Sequence, residues 1–187
     1  MMDDTLAQWR AMGPGEDLWV FGYASLVWRP EFEAAEQRIA RVYGYHRCLH
    51  MWSRVNRGTP KCPGLVFALM RGGSCTGMAL RLPHAQVEAQ MPALWAREMP
   101  NPVYDPKWLW CQTPGGPVRA LAFTLSERSP NHTGTLSDER YREIFAHAQG
   151  RYGSTLDYAR QTLHGLRARG IEDRALARLL RRFEDLP

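Results

Sequence analysis

The chain has 187 residues, of which 44% are hydrophobic and 23% charged; this is enough for one folded core and too ordinary for a fibre or a disordered chain. Its formal net charge is +5, and of its 24 basic residues only Lys61 and Lys107 are lysines. Arginine suits bidentate contact with carboxylate or phosphate, but acids are interleaved with the arginines, so the excess reads as surface and argues against a dedicated nucleic-acid binder.

Residues 1–17 are expected to form an extension or a short helix, with Thr5 to Met12 as its helical part, and residues 18–187 one domain. Asp3 and Asp4 stand where a secretory leader carries basic residues, so none is expected. Leu18 to Tyr23 is a short apolar run after Gly13-Pro14-Gly15 and reads as the first strand. Phe21-Gly22-Tyr23-Ala24-Ser25-Leu26 follows at its end. A glycine and small residues there can turn backbone N–H groups toward one point, a nest for carboxylate or phosphate oxygens; an ordinary tight turn fits equally. The segment has neither the ending of a P-loop nor the serine setting of a nucleophile elbow.

Val42 to Trp52 is the second strand candidate. His46, Cys48 and His50 alternate along it and share a face, but their spacing departs from zinc patterns, and no metal is expected. Ser53 to Pro60 is a polar loop whose Arg54 and Arg57 can clamp a carboxylate or simply face solvent. Leu65 to Met70 has a buried strand's length and is far short of the ~18–20 apolar residues of a membrane helix. Cys75 to Leu82 alternates as a fourth strand, and Gly72-Gly73 between these two predicts a hairpin turn. The four cysteines form no C-x-x-C pair and read as reduced thiols of a cytoplasmic protein.

Val87, Met91, Leu94 and Trp95 recur at helical spacing between Pro83 and Pro100, with Pro92 inside the run as a kink or a restart. Glu98 lies four residues after Leu94 and three after Trp95, on the apolar face, while Arg97 is expected to face elsewhere. Burial and the negative end of the helix dipole both push a carboxylate's pKa upward. An inward Glu with a raised pKa is a general-base candidate; a frayed helix end that lets it reach water is the plainer alternative. Trp108 to Gln112 and Val118 to Leu125 flank Pro114-Gly115-Gly116-Pro117 as strand, turn and strand. Tyr141, Ile144, Phe145, Ala148 and Tyr152 then mark a helix capped by Ser137 and ended by Gly150. Ser154 caps a second, which Gly170 closes, and Leu176, Leu179, Leu180 and Phe183 stripe a third. Strands followed by helices suggest an α+β fold with a closed or strongly curved sheet.

Seven of these segments, in order, resemble the ChaC-type glutathione-specific γ-glutamylcyclotransferase family. They are Val20 to Trp28, Gly44 to Arg47, Ser53 with Arg57 to Pro60, Pro63 to Leu65, Gly72 to Gly77, Leu94 to Met99 and Tyr104 to Trp108. The likeness spans roughly Leu18 to Leu180. It implies a γ-glutamylcyclotransferase-like fold, a small mixed β-barrel with helices around it. It implies cleavage of glutathione to 5-oxoproline and cysteinylglycine without a metal or organic cofactor; the chain's size suits a monomer, and its charge and hydropathy patterns lead to no expected nucleic-acid or membrane partner. The likeness assigns the proton-accepting role to Glu98 and the γ-glutamyl cradle to Val20, Phe21, Gly22, Tyr23, Ala24 and Ser25; Arg57 of the polar loop is the candidate clamp for the glycine carboxylate of glutathione. Ala24 stands where the family pattern has glycine; a left-handed backbone there would strain it by ~1 kcal/mol or more. Cyclotransfer on other γ-glutamyl amides and non-catalytic regulation of a cation transporter are the alternatives.

Overall fold

The computed structural model describes residues 1–99 and 102–187. The chain order is α1 (Met2–Arg10), β1 (Leu18–Gly22), α2 (Ser25–Trp28), β2 (Glu36–Ser53), β3 (Gly64–Leu82), α3 (His84–Glu98), β4 (Asp105–Gln112) and β5 (Val118–Thr124), followed by α4 (Asp138–His147), β6 (Gln149–Gly150), β7 (Gly153–Ser154), α5 (Thr155–Ala168) and α6 (Arg174–Arg181). The first five strands close a barrel in the order β1, β3, β2, β4, β5, and β5 returns parallel to β1. This is the α+β barrel expected from strands followed by helices. Leu18, Val20 and Phe21 of β1 are fully buried; Val20 and Phe21 point to opposite faces, so both faces of this strand are covered.

The middle of the barrel differs from the pattern of short strands. The two runs on either side of Gly72-Gly73 form one long strand, β3, antiparallel to an equally long β2 that starts at Glu36 instead of Val42. Gly72 and Gly73 do take positive φ, +102° and +64°, and Gly44 opposite them has φ +78°. The three glycines bend the paired ribbon at a register shift between Tyr43 and Tyr45 without reversing it. The reversal lies in the polar loop 54–63.

Helices pack round the barrel through the stripes read from sequence. In α3, Val87, Met91 and Leu94 are buried around Pro92, and Pro100 lies outside the described residues. Ser137, Ser154 and Asp173 cap α4, α5 and α6 by accepting backbone N–H bonds. In α1 the buried Trp9 donates its indole N–H to the Glu16 carbonyl at 3.1 Å and packs on His84. Gly170 ends α5 with φ +72°. Tyr152 does not join the α4 stripe: that helix stops at His147, and Gly150, instead of ending it, is the second residue of a two-strand hairpin.

That hairpin, β6–β7, is pressed onto the loop after β2. The Arg151 and Tyr152 N–H groups donate to the carbonyls of Val55 and Asn56 at 2.8 and 2.9 Å. A Cβ on Gly150 would come within 2.6 Å of backbone atoms of Asn56, Arg57 and Gly58. Gly150→Ala is therefore expected to lower stability by about 1–3 kcal/mol, the usual range for overpacking. Denaturant unfolding checks this; a midpoint equal to that of the parent protein contradicts the close approach.

Candidate active site

Glu98 is the last residue of α3, and its side chain is 15% exposed. It faces a cavity of about 620 Å³, within the usual size of a small-molecule site. The phenols of Tyr23, Tyr104 and Tyr158 also line this cavity. Tyr23 donates to the Phe123 carbonyl at 2.9 Å and Tyr104 to the Phe67 carbonyl at 3.4 Å. Burial, reinforced by the Glu98 charge, holds all three phenols above their ordinary pKa, so they remain neutral. The same desolvation pushes the Glu98 carboxyl up. Arg97 opposes the shift, and Glu31 adds to it.

Arg97 does not face away from Glu98. Its Nε lies 3.1 Å from Glu98 Oε1, and its other nitrogens donate to the Arg29 carbonyl at 2.6 Å and Ser25 Oγ at 3.1 Å. Neighbouring helical positions diverge at Cβ, but three methylenes let the guanidinium swing back over the last turn. Glu31, with φ +60°, sits 3.3 Å from the same guanidinium. Left-handed backbone at a residue other than glycine is strained, and such strain gathers at sites the surrounding fold holds in place. One arginine thus ties Glu98 to the loop after β1.

The structure brings together Tyr23, Ala24, Ser25, Arg57 and Glu98 around the cavity. Val20, Phe21 and Gly22 are not in its lining: they belong to β1, and the first two are wholly buried in the barrel. Ala24 has φ −141°, outside the left-handed region, so its backbone asks for no glycine on that account. The carbonyl of Tyr23 is fixed from below by Arg47 Nη1 at 2.6 Å. Arg57 is 7% exposed, lies 4.6 Å over the Tyr158 ring and donates to the Tyr152 carbonyl.

Arg29 and Arg151 are also in the lining, with Arg54 of the polar loop. Neither Arg29 nor Arg151 stands out in sequence, because their segments meet only through the barrel and the β6–β7 hairpin. His46, Cys48 and His50 do not converge: His46 Nδ1 lies 3.1 Å from the Gly72 carbonyl, and Cys48 Sγ lies 3.8 Å from that of Ala68. Among the described residues, no group of three His, Cys, Asp or Glu is placed to hold a metal ion, and no helix is long and apolar enough to cross a membrane.

The barrel and its surrounding helices have the fold of γ-glutamyl cyclotransferases, as solved structures of that class show. The crystal structure of the yeast γ-glutamyl cyclotransferase specific to glutathione matches it with a TM-score of 0.81 at 18% identity, covering 90% of this chain and 96% of that one. The family model for ChaC-like proteins matches residues 18–185, and the chain belongs to that family. The glutathione-specific γ-glutamylcyclotransferase of Escherichia coli strain K12 is 34% identical over 180 residues, which cover 94% of this chain and 77% of the relative. Human glutathione-specific γ-glutamylcyclotransferase 1 is 32% identical over 151 residues, 78% and 68% of the two chains.

Proposed function

We propose that this protein is a cytoplasmic γ-glutamylcyclotransferase that cleaves glutathione to 5-oxoproline and cysteinylglycine. The observation that carries the reading is the desolvated Glu98 carboxylate facing the same cavity as the Tyr23–Ser25 loop. The names of the bacterial and human relatives support the substrate.

The chemistry needs little machinery. The α-amine of the γ-glutamyl group attacks its own γ-carbonyl, so a C–N bond forms within the substrate. The γ-amide C–N bond breaks, and the cysteine amine leaves. Folding the γ-glutamyl arm back on itself makes attack intramolecular, a source of large rate gains. Glu98 takes the proton that the attacking amine sheds and returns one to the leaving amine. Its raised pKa brings the carboxyl nearer to both transfers than an ordinary glutamate would be. Tyr23, Ala24 and Ser25 border the γ-glutamyl end, with Val20, Phe21 and Gly22 as the rigid strand that presents them. Arg57 lines the same cavity. Nothing in this sequence of steps calls on a metal or an organic cofactor. The direct test is 5-oxoproline release from glutathione by the purified protein; no release overturns the reading.

The sign of the pH dependence follows from Glu98. Its carboxylate form accepts the proton, so kcat/KM falls as pH drops through its pKa. Burial raises that pKa above the ordinary 4.5, which places the acid limb above that value. Arg97 favours the carboxylate, so Arg97→Ala is expected to move the limb to still higher pH. Glu31→Gln removes a negative neighbour and moves it lower. Acid limbs that coincide in all three proteins would separate Glu98 from the proton transfer.

A further inference from the structure

The arginines of the cavity divide by what already holds them. Arg97 is paired with Glu98 and Glu31, and Arg29 with Glu31. Arg57 is buried against Tyr158 and bonded to the Tyr152 carbonyl. Arg54 and Arg151 are exposed, and among the described residues neither forms an ion pair with a carboxylate. Arg54 bonds only the neutral Asn131 side chain, at 3.3 Å, and Arg151 lies over the Tyr152 ring at 5.3 Å.

The two are neighbours by construction. The Arg151 N–H donates to the carbonyl of Val55, the residue after Arg54, so the hairpin tip and the loop after β2 form one rim. A chain of side-chain contacts runs from this rim to the acid. Arg97 touches Glu98 and the Arg29 carbonyl, the Arg29 guanidinium covers the Tyr152 ring at 5.7 Å, and Arg151 lies over that ring too. Two exposed cations without carboxylate partners among the described residues, in the lining of the cavity that also holds Glu98, match a substrate with a further anionic group away from the γ-glutamyl loop.

We propose that Arg54 and Arg151 form a subsite for a carboxylate borne by the leaving half of the substrate, beyond the cleaved γ-amide. The inference rests on the cyclotransferase reading and sharpens it: the preferred γ-glutamyl amides carry a free carboxylate on the departing amine's peptide. Arg57, the first arginine suggested for this role, lies in the same lining, with one nitrogen given to the Tyr152 carbonyl. Exposed guanidinium–carboxylate contacts are partly screened, which sets a modest effect for each.

The test compares glutathione with its glycine ethyl ester, in which that carboxylate is masked and the γ-glutamyl end is unchanged. Rates of 5-oxoproline release are measured for the parent protein, Arg54→Gln, Arg151→Gln and the double variant. The expected result is a preference of the parent for the free acid by about tenfold in kcat/KM. Each single variant shrinks it, mainly through KM, and the double variant abolishes it. The ratio of the two substrates is taken within one preparation, so partial misfolding leaves it unmoved. An equal loss on both substrates, or an unchanged ratio, overturns the subsite while leaving the cyclotransferase reading in place. Absence of release from both substrates by the parent protein overturns that reading and the subsite with it.

Discussion

Glu98→Gln is expected to reduce kcat for 5-oxoproline release by about 10²–10⁴-fold, the usual contribution of a positioned general acid–base group. Glutamine keeps the shape of the side chain and a hydrogen-bond acceptor for Arg97, but it cannot take a proton from the attacking amine. Binding is expected to change little, because the loss falls on proton transfer and not on contacts to the resting substrate. The same substitution has a predictable sign on stability. Burial raises the folded-state pKa of Glu98, so its contribution to stability is greatest below the unfolded pKa and declines as pH rises through the folded one. The ionised carboxylate is thus a charge held at a desolvated position, and replacing it removes that penalty. Melting at neutral pH should be at least as high in Glu98→Gln as in the parent. Inactivity together with an undiminished melting temperature separates a chemical role from a structural one. Comparable rates in the two proteins would remove Glu98 from the mechanism.

Glu98 was legible because three local rules act on one residue: helical periodicity places it inward, the helix end opposes its charge, and burial does the same. Its neighbour was not. The period fixes where Cβ points, and Arg97 reaches the carboxylate by the length of its side chain. The bend at Gly44, Gly72 and Gly73 shows a related limit. Glycine pairs announce positive φ, which a hairpin turn and a bent ribbon both use, and only the partner strand decides between them. Tyr152 was misplaced for a similar reason: a helical spacing of apolar residues continues past His147 by coincidence, while Gly150 and Gly153 allow a hairpin there. The rim of the cavity lay furthest from local rules. Arg54 and Arg151 are adjacent because two backbones cross at Gly58 and Gly150, positions where a Cβ would meet main-chain atoms.

The arginine excess also looks different once its partners are known. Part of it is structural: Arg81 joins Asp17 and Glu36 across the start of the barrel at 2.6 and 3.1 Å. Part of it encloses the cavity, where, among the described residues, Arg29, Arg54, Arg57, Arg97 and Arg151 meet Glu31 and Glu98 as the only acids. Such a surplus of positive charge favours an anionic small molecule and raises its local concentration. Raising ionic strength should therefore increase KM for a doubly carboxylated substrate more than kcat changes.

Arg47 has the largest expected effect on stability. Its side chain is 4% exposed, and Nε and Nη2 bond one oxygen of Asp173 at 2.9 and 2.6 Å. Nη1 donates to the carbonyls of Tyr23 and Thr76 at 2.6 and 3.2 Å. The other Asp173 oxygen accepts the Leu176 N–H and caps α6. One buried guanidinium therefore joins the ribbon β2–β3, the end of β1 and the start of the last helix. Arg47→Ala strands Asp173 and two carbonyls at once, and breaking one side of a buried pair typically costs about 3–5 kcal/mol. By contrast, Arg10→Ala removes an ion pair whose side chains are 52% and 60% exposed, and less than about 1 kcal/mol is expected. Asp173→Asn is the informative companion, since asparagine still caps the helix and accepts from Arg47 but leaves that charge unpaired. Denaturant unfolding of the single variants and of Arg47→Ala/Asp173→Asn completes the cycle. The double variant should lose less than the sum of the singles, because the uncompensated charge disappears with its partner. Additive losses, or an Arg47→Ala loss below about 1 kcal/mol, would mean that the pair is tolerated at this site without holding it together. The Tyr23 carbonyl links this pair to the cavity. A folded Arg47→Ala protein is therefore expected to show a raised KM, as the loop carrying Ala24 and Ser25 loses its support from below.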